Sequence, residues 1–167
     1  MKKYFAATAI AIAAAHANAG STVDPIVDIT WTKEGKTLLA GAHRFVDPSG
    51  RLIPFATTSE QLFPYSTCTP DGGSLKIEAK RLVIGRTLFL KPQRTPRGTI
   101  HLDIEAEDTE VRTVESTHNG GCTSLRPVTG GLPHTTLSAE LPESGALTVS
   151  FPDVRYALTL KLHQDSK

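Results

Sequence analysis

Charge of either sign is not in surplus: 18 Lys and Arg stand against 17 Asp and Glu, a formal net of +1 over 167 residues. A phosphate-binding surface needs a basic excess, so the balance argues against a nucleic-acid partner. Cysteine is scarce, with Cys68 and Cys122 the two residues of that type. Two isolated thiols without a C-x-x-C spacing are too few for a structural zinc site and form no redox motif. Past the N-terminal segment no apolar run approaches the roughly 20 residues that span a bilayer, so no membrane span is expected in the mature chain. The nucleophile frame G-x-S-x-G is absent, as are the phosphate loops G-x-x-x-x-G-K-[ST] and G-x-G-x-x-G and the metalloprotease motif H-E-x-x-H. Sustained 3.6-residue periodicity is missing as well, which sets helices aside as building material. Nothing in this inventory calls for a cofactor.

What is present begins with an export signal. Lys2 and Lys3 supply a positive start, Tyr4 to Ala15 is apolar and uncharged, and Ala17-Asn18-Ala19 has the small-x-small form of a cleavage site. Residues 1–19 are read as a signal peptide cut after Ala19, and the Lys-Lys start with its Ala-rich run looks bacterial. The destination is then the periplasm or the medium. Removing 19 of 167 residues leaves 148, with 16 basic against 17 acidic side chains once Lys2 and Lys3 are gone. A chain of that length buries about two thirds of its unfolded surface, enough for one domain with a core of its own. Residues 20–167 are therefore read as a single domain. In an oxidising compartment the pair Cys68 and Cys122 suggests one disulfide.

The mature chain reads as strand after strand. Val27, Ile29 and Trp31 alternate with polar residues, as do Ile100, Leu102, Ile104 and Ala106. Strands are expected near 27–32, 36–46, 52–57, 75–80, 82–90, 100–107, 135–141, 146–151 and 155–163. Some nine strands at roughly 10-residue spacing predict an all-β domain, an antiparallel β-sandwich or a partly closed barrel. Glu34-Gly35 predicts a tight turn, and Gly85 is a candidate bulge. Residues 58–73 and 115–133, rich in Pro and Gly, read as two long connections that the disulfide staples together.

Three sets of side chains could carry chemistry or binding. His101, Asp103 and Glu105 stand in one row of a strand, about 7 Å apart, and a metal or ligand would need help from a neighbouring strand to converge there. Such a row could serve a small hydrolase or metal-dependent enzyme, although charge outside and aliphatics inside is also how a half-solvated strand looks. Lys91, Arg94 and Arg97 bracket a turn and could grip an acidic protein or an anionic glycan. His118 and His134 flank Cys122 and could meet if the disulfide pins the segment between them; His43 and His163 read as surface residues.

The stretch Ile84-Gly85-Arg86-Thr87-Leu88-Phe89-Leu90-Lys91-Pro92, followed by Gly98-Thr99-Ile100-His101-Leu102-Asp103-Ile104-Glu105-Ala106-Glu107, follows the pattern G-x-x-L-x-x-x-P … G-x-I-x-L-x-I-x-x-E. Over 84–111 it resembles a β-hairpin of the bacterial secretin family, the outer-membrane ring channels of secretion and pilus systems. The resemblance implies a similar hairpin and an envelope setting rather than a channel, and it assigns no functional residue. Together these features predict an exported binding or interaction module without catalysis, its partner an envelope protein or glycan. Its recognition end lies at the segments around Cys68 and Cys122, because loops set on a rigid sheet are the usual place for recognition. An envelope hydrolase and an accessory subunit of a secretion or pilus assembly are the alternatives.

Overall fold

A computed structural model describes residues 26–141 and 145–163; the export signal expected over 1–19 lies outside the described residues. Alternation makes strands wherever one face is buried. In β1 (Ile26–Lys33) Val27, Ile29 and Trp31 are buried, and in β8 (Tyr156–Leu162) Tyr156, Leu158, Leu160 and Leu162 are. The two pair antiparallel with Val27 opposite Leu162, Ile29 opposite Leu160 and Trp31 opposite Leu158, so one face of the pair is wholly apolar. β2 (Lys36–Arg44) flanks β1 and β7 (Ala146–Ser150) flanks β8, giving the sheet order β2-β1-β8-β7. The second sheet runs β3 (Phe55–Asp71), β4 (Ser74–Arg94), β5 (Ile100–Asn119), β6 (Cys122–Glu140). Leu88 and Leu90 lie opposite Ala106 and Ile104 and close against the first sheet. Burial of each such Leu or Ile contributes about 1.5–3 kcal/mol, which is what holds the two sheets face to face. The fold is an antiparallel sandwich with the disulfide Cys68–Cys122.

The strand count is eight rather than nine. Residues 75–80 and 82–90 belong to one strand, β4, and of the segment expected at 52–57 only residues 55–57 are in the long strand β3, which they open. The two expected connections are strands too: 58–71 lies in β3, and 115–133 is the end of β5, a two-residue turn and the start of β6. Both turns are Gly-Gly pairs at positive φ, Gly72-Gly73 and Gly120-Gly121, which suits the tight hairpin turn whose twist matches that of strands. Pro64 and Pro70 survive in β3 because of where their nitrogens point. The β3–β4 register is unbroken from Phe55 to Asp71, and the N–H of Cys68 points away from β4, to the Ser124 hydroxyl. Pro64 and Pro70 share the parity of Cys68, so the N–H each lacks is one the ladder never uses. Gly85 is no bulge, since the register runs through it without a shift.

A bulge does occur in β2. Trp31 pairs with Leu39 and Thr32 with Thr37, which leaves Leu38 as the extra residue. An extra residue breaks the alternation, and Leu38 and Leu39 both pack on the core.

Between β2 and β3 the chain turns at 47–51. The Asp47 carboxylate accepts hydrogen bonds from the Ser49 hydroxyl at 2.6 Å and from the N–H groups of Ser49 and Arg51, both at 2.9 Å. The Ser49 hydroxyl bond foremost, with the Arg51 N–H and the Arg51 charge, lowers its pKa from 3.8 to about 2. A carboxylate with a depressed folded pKa stabilises fully above its unfolded value and loses that contribution as pH falls through the folded one. The margin of the natural protein over Asp47→Asn is therefore expected to hold down to pH 3.8 and to vanish as pH falls through about 2. Thermal unfolding midpoints of the two proteins across that range check it; a margin independent of pH would contradict it.

Candidate functional site

The four long strands do not stay one sheet along their length. β4 and β5 pair only from Arg94 opposite Ile100 to Gly85 opposite Thr109. Beyond that point β3–β4 continues alone to Asp71 opposite Ser74, and β5–β6 to Asn119 opposite Cys122. Two ribbons of some ten residue pairs thus project past the sandwich as an arm roughly 35 Å long. At the fork, Gly85 and Gly131 take φ of +144° and +111°. A Cβ on Gly85 would overlap the Ser59 carbonyl, and one on Gly131 the Asp108 carbonyl. The β5–β6 register also shifts between Ala106 and Asp108 and again between Val111 and Thr113. Such irregularities raise local twist, and free two-stranded ribbons twist more than sheets. The ribbons part on the β4–β5 side and come together on the other. There Cys68 and Cys122 are joined with Cα atoms 5.6 Å apart, and the Ser124 hydroxyl accepts from the Cys68 N–H at 2.8 Å and donates to its carbonyl at 3.0 Å.

Asp108 sits at the fork, 2% exposed, the one buried charged side chain among the described residues. It continues the inward row Leu102, Ile104, Ala106. Its oxygens accept from Arg86 Nε at 2.9 Å and from the Tyr156 hydroxyl at 2.7 Å, with Lys33 Nζ at 3.5 Å. Lys33 also bonds Glu110 at 2.7 Å and lies over the Tyr156 ring. Burial pulls the Lys33 pKa down, but the bonds to Glu110 and Tyr156 and the Asp108 charge outweigh it and leave it above the usual lysine value. Burial, joined by the bond to Asp108, pushes the Tyr156 phenol up. A buried charge needs partners of this kind, because an unpaired one is expensive. Beside the network lies a cleft of about 440 Å³, between Gln61 and Phe63 of β3, Ile84 and Arg86 of β4, and Glu110 of β5. A smaller cavity of about 100 Å³ shares Ser59 and Arg86 with it and reaches Trp31, whose buried Nε1 has no hydrogen-bond partner.

The residues singled out in the sequence lie elsewhere. His101, Asp103 and Glu105 share the outer face of β5, opposite Gln93, Lys91 and Phe89. His101 and Asp103 approach to 3.6 Å, Gln93 bonds Asp103, and Glu105 is nearest His134 at 3.9 Å. Among the described residues no group of three or more His, Cys, Asp or Glu side chains could hold a metal ion. The basic set divides: Lys91 lies in the ladder opposite Asp103, Arg94 reaches the Gly50 carbonyl at 3.4 Å, and Arg97 stands in the following turn. His118 and His134 do not meet. His118 bonds Thr123 near the arm's tip and His134 sits beyond the fork, so the ladder separates them by roughly 35 Å. His43 is not a free surface residue either; it packs edge-on against Phe45 and Phe55 and bonds the Ile53 carbonyl at 3.2 Å.

Sequence reasoning passed over Asp108, Arg86, Lys33 and Tyr156. The signal was there for Asp108 alone: an acid in the fifth place of the row Ile100, Leu102, Ile104, Ala106 is a buried charge in waiting. The fold and site define an all-β sandwich that bears a disulfide-closed arm. No protein-family model, no curated protein and no solved structure matches the chain.

Proposed function

We propose that the chain is an exported, non-catalytic binding module of a bacterial cell envelope, periplasmic or secreted, that holds a protein partner on its arm. The observation that carries this reading is where apolar surface is left in water. Of the seven large apolar side chains exposed among the described residues, Leu62, Leu75, Ile77, Val83, Val114 and Leu125 are on the arm. They are aligned within each ribbon, on the Cys68 face in the first and on the face opposite Cys122 in the second. Pairing puts Leu62 with Val83, Pro70 with Leu75 and Cys68 with Ile77 on one face of the first ribbon. Val114 with Pro127 and Leu125 with Ser116 share one face of the second. Exposed apolar strips mark interaction sites, and open strand edges beside them offer backbone hydrogen bonds to a partner. These side chains are aliphatic, which favours a protein surface over a glycan, whose C–H faces pack on aromatic rings. The disulfide suits an oxidising compartment. The likeness of 84–111 to a secretin hairpin supports an envelope setting, with an accessory subunit of a secretion or pilus assembly as one form of it.

The test uses a photo-crosslinking residue placed at Ile77 or, as a control, at Ser138 on the sandwich's outer face, in the mature oxidised protein within its own envelope. One dominant adduct is expected from position 77 and none from 138. Leu75→Lys is expected to reduce that adduct at least about tenfold, the size of an interface residue of middling weight. Equal crosslinking from both positions, or no loss with Leu75→Lys, would remove the arm from the reading.

A further inference from the structure

Each strand of the arm has one edge turned away from its hairpin partner, and three of the four edges are blunted. On β3 the outward positions include Pro64 and Pro70, and the Cys68 N–H is taken by Ser124. On β6 Pro127, opposite Val114, removes a donor from the outer edge, and on β5 the ladder is irregular between Val111 and Thr113. Prolines and bulges keep an edge from pairing. β4 from Ser74 to Ile84 has neither: it holds no proline, and its register with β3 is unbroken. Its residues from Ser74 to Arg81 are all exposed. Its backbone is aimed outward as well. Cys68 bonds Ser124 through both its N–H and its carbonyl, so the Cys68–Ile77 pair exchanges no backbone bond. In an antiparallel ladder the backbone groups of such a pair face away from each other. Parity then turns the N–H and C=O of Leu75, Ile77, Ala79, Arg81 and Val83 to the open edge.

We propose that this edge pairs with the same edge of a second copy of the chain, antiparallel, with Ala79 on the two-fold axis. Odd residues must face odd residues for the backbone bonds to form, and charge chooses among the registers left. With Ala79 opposite itself, Glu78 faces Lys80 of the second copy and Lys80 faces its Glu78, two acid–base pairs flanking the axis. A shift of two residues either way sets Glu78 against Glu78 or Lys80 against Lys80, and like charges directly opposite are unfavourable. Centring on Ile77 matches Lys76 with Glu78 but runs into the turn at Gly72-Gly73. It leaves Leu75, Ile77 and Ala79 to exchange bonds, where the Ala79 register also uses Arg81 and Val83. The apolar strip gives a second reason. In one copy it is broken, with Leu62 and Val83 at the fork end and Leu75 and Ile77 at the tip end. Val83 and Leu75 are about 26 Å apart along the strand. Pairing about Ala79 sets Val83 directly beside Leu75 of the second copy. Leu62 and Val83 then continue into Leu75 and Pro70 of the second copy as one row across four strands, and symmetry adds a second row. Two broken strips become one face for the arm's partner. That consequence alone rests on the arm being a binding surface; the pairing does not.

An edge pairing without a buried face is a small interface, so the dimer belongs to the weak class. Sedimentation equilibrium of the mature oxidised protein from about 10 μM to 1 mM is expected to show monomer passing into dimer with a Kd of about 100 μM. Glu78→Lys sets Lys against Lys80 and is expected to weaken association at least about tenfold. Adding Lys76→Glu and Lys80→Glu reverses the whole row and is expected to restore it to within about threefold. Ala79→Cys, with oxidised glutathione as oxidant, is expected to give a disulfide-linked dimer, since residues opposite each other have Cα atoms about 5.5 Å apart. Arg81→Cys is expected to give none, because the two copies of that position stand about 13 Å out of register. A mass that stays monomeric at 1 mM overturns the proposal. So does a dimer indifferent to Glu78→Lys, one not restored by the reversal, or one that Arg81→Cys links as readily as Ala79→Cys. A monomer that still gives the envelope adduct from position 77 would remove the pairing and leave the arm as a binding surface.

Discussion

Asp108→Ala is expected to cost about 3 kcal/mol or somewhat more of folding stability, the largest loss foreseen for a single substitution in this chain. Removing one partner from a buried charge network leaves the others uncompensated, and the usual toll is about 3–5 kcal/mol. The lower end applies because Arg86 is 45% exposed and can turn to water. Lys33 keeps Glu110 at 2.7 Å, so it too has a fallback. Tyr156 keeps the Lys33 ammonium at its oxygen but has no second acceptor for its O–H, which bonds Asp108 at 2.7 Å in a side chain 1% exposed. Urea unfolding at neutral pH measures the loss. Arg86→Met is expected to cost clearly less, and Tyr156→Phe about 1–2 kcal/mol for one buried bond to a charged group. A loss below about 1 kcal/mol for Asp108→Ala would mean that water reaches the fork freely and that the network does not hold the strands together.

The second large effect is expected from Cys68→Ser/Cys122→Ser. The bond closes a separation of 54 residues, for which the chain-entropy relation gives about 4 kcal/mol. This is an upper figure, because a reduced chain with two hairpins in it is less free than a random coil. The distribution of the loss matters more than its total. The sandwich core, Val27 with Leu162 and Leu90 with Ile104, stands apart from the bond, whereas the bond ties the two ribbons directly to each other. Hydrogen exchange is therefore expected to quicken in 62–83 and 110–131 while the amides of β1 and β8 stay protected. Equal quickening in both would show that arm and sandwich open as one unit.

How much of this was legible follows from burial. Strands with one buried face announce themselves, and Val27-Ile29-Trp31, Leu102-Ile104-Ala106 and Tyr156-Leu158-Leu160-Leu162 were read without difficulty. The arm has no buried face along most of its length, so its strands lack the contrast that period-2 reading depends on. Thr57, Thr58, Thr67 and Thr69 are good strand formers, but Pro64 and Pro70 among them suggest a loop unless the chain is known to be at an edge. The sequences Asp71-Gly72-Gly73-Ser74 and Asn119-Gly120-Gly121-Cys122 are hairpin turns by composition. Polar flanks hid them. The disulfide was legible from the even count of two cysteines, though it joins strands and not loops. The fork was out of reach, since it depends on where the β4–β5 ladder stops at Gly85 and Thr109, a matter of close backbone approach. Leu38 in the β2 bulge is a similar case: nothing local says that it turns inward with Leu39.

The inversion of neighbours along the four long strands also sets an order of events as the chain folds. Each ribbon can zip from its own Gly-Gly turn, because those contacts are short in sequence and hairpins close in about 1–10 μs. Cys68 and Cys122 become neighbours only after both ribbons exist and have twisted toward each other. An oxidant meeting the folding chain thus acts on a pair presented by nearly finished structure, and with two cysteines there is no wrong partner within the molecule to choose. Oxidation then works as a latch on an arm already formed, and the oxidised fraction of a preparation reports the fraction of molecules whose arm has closed.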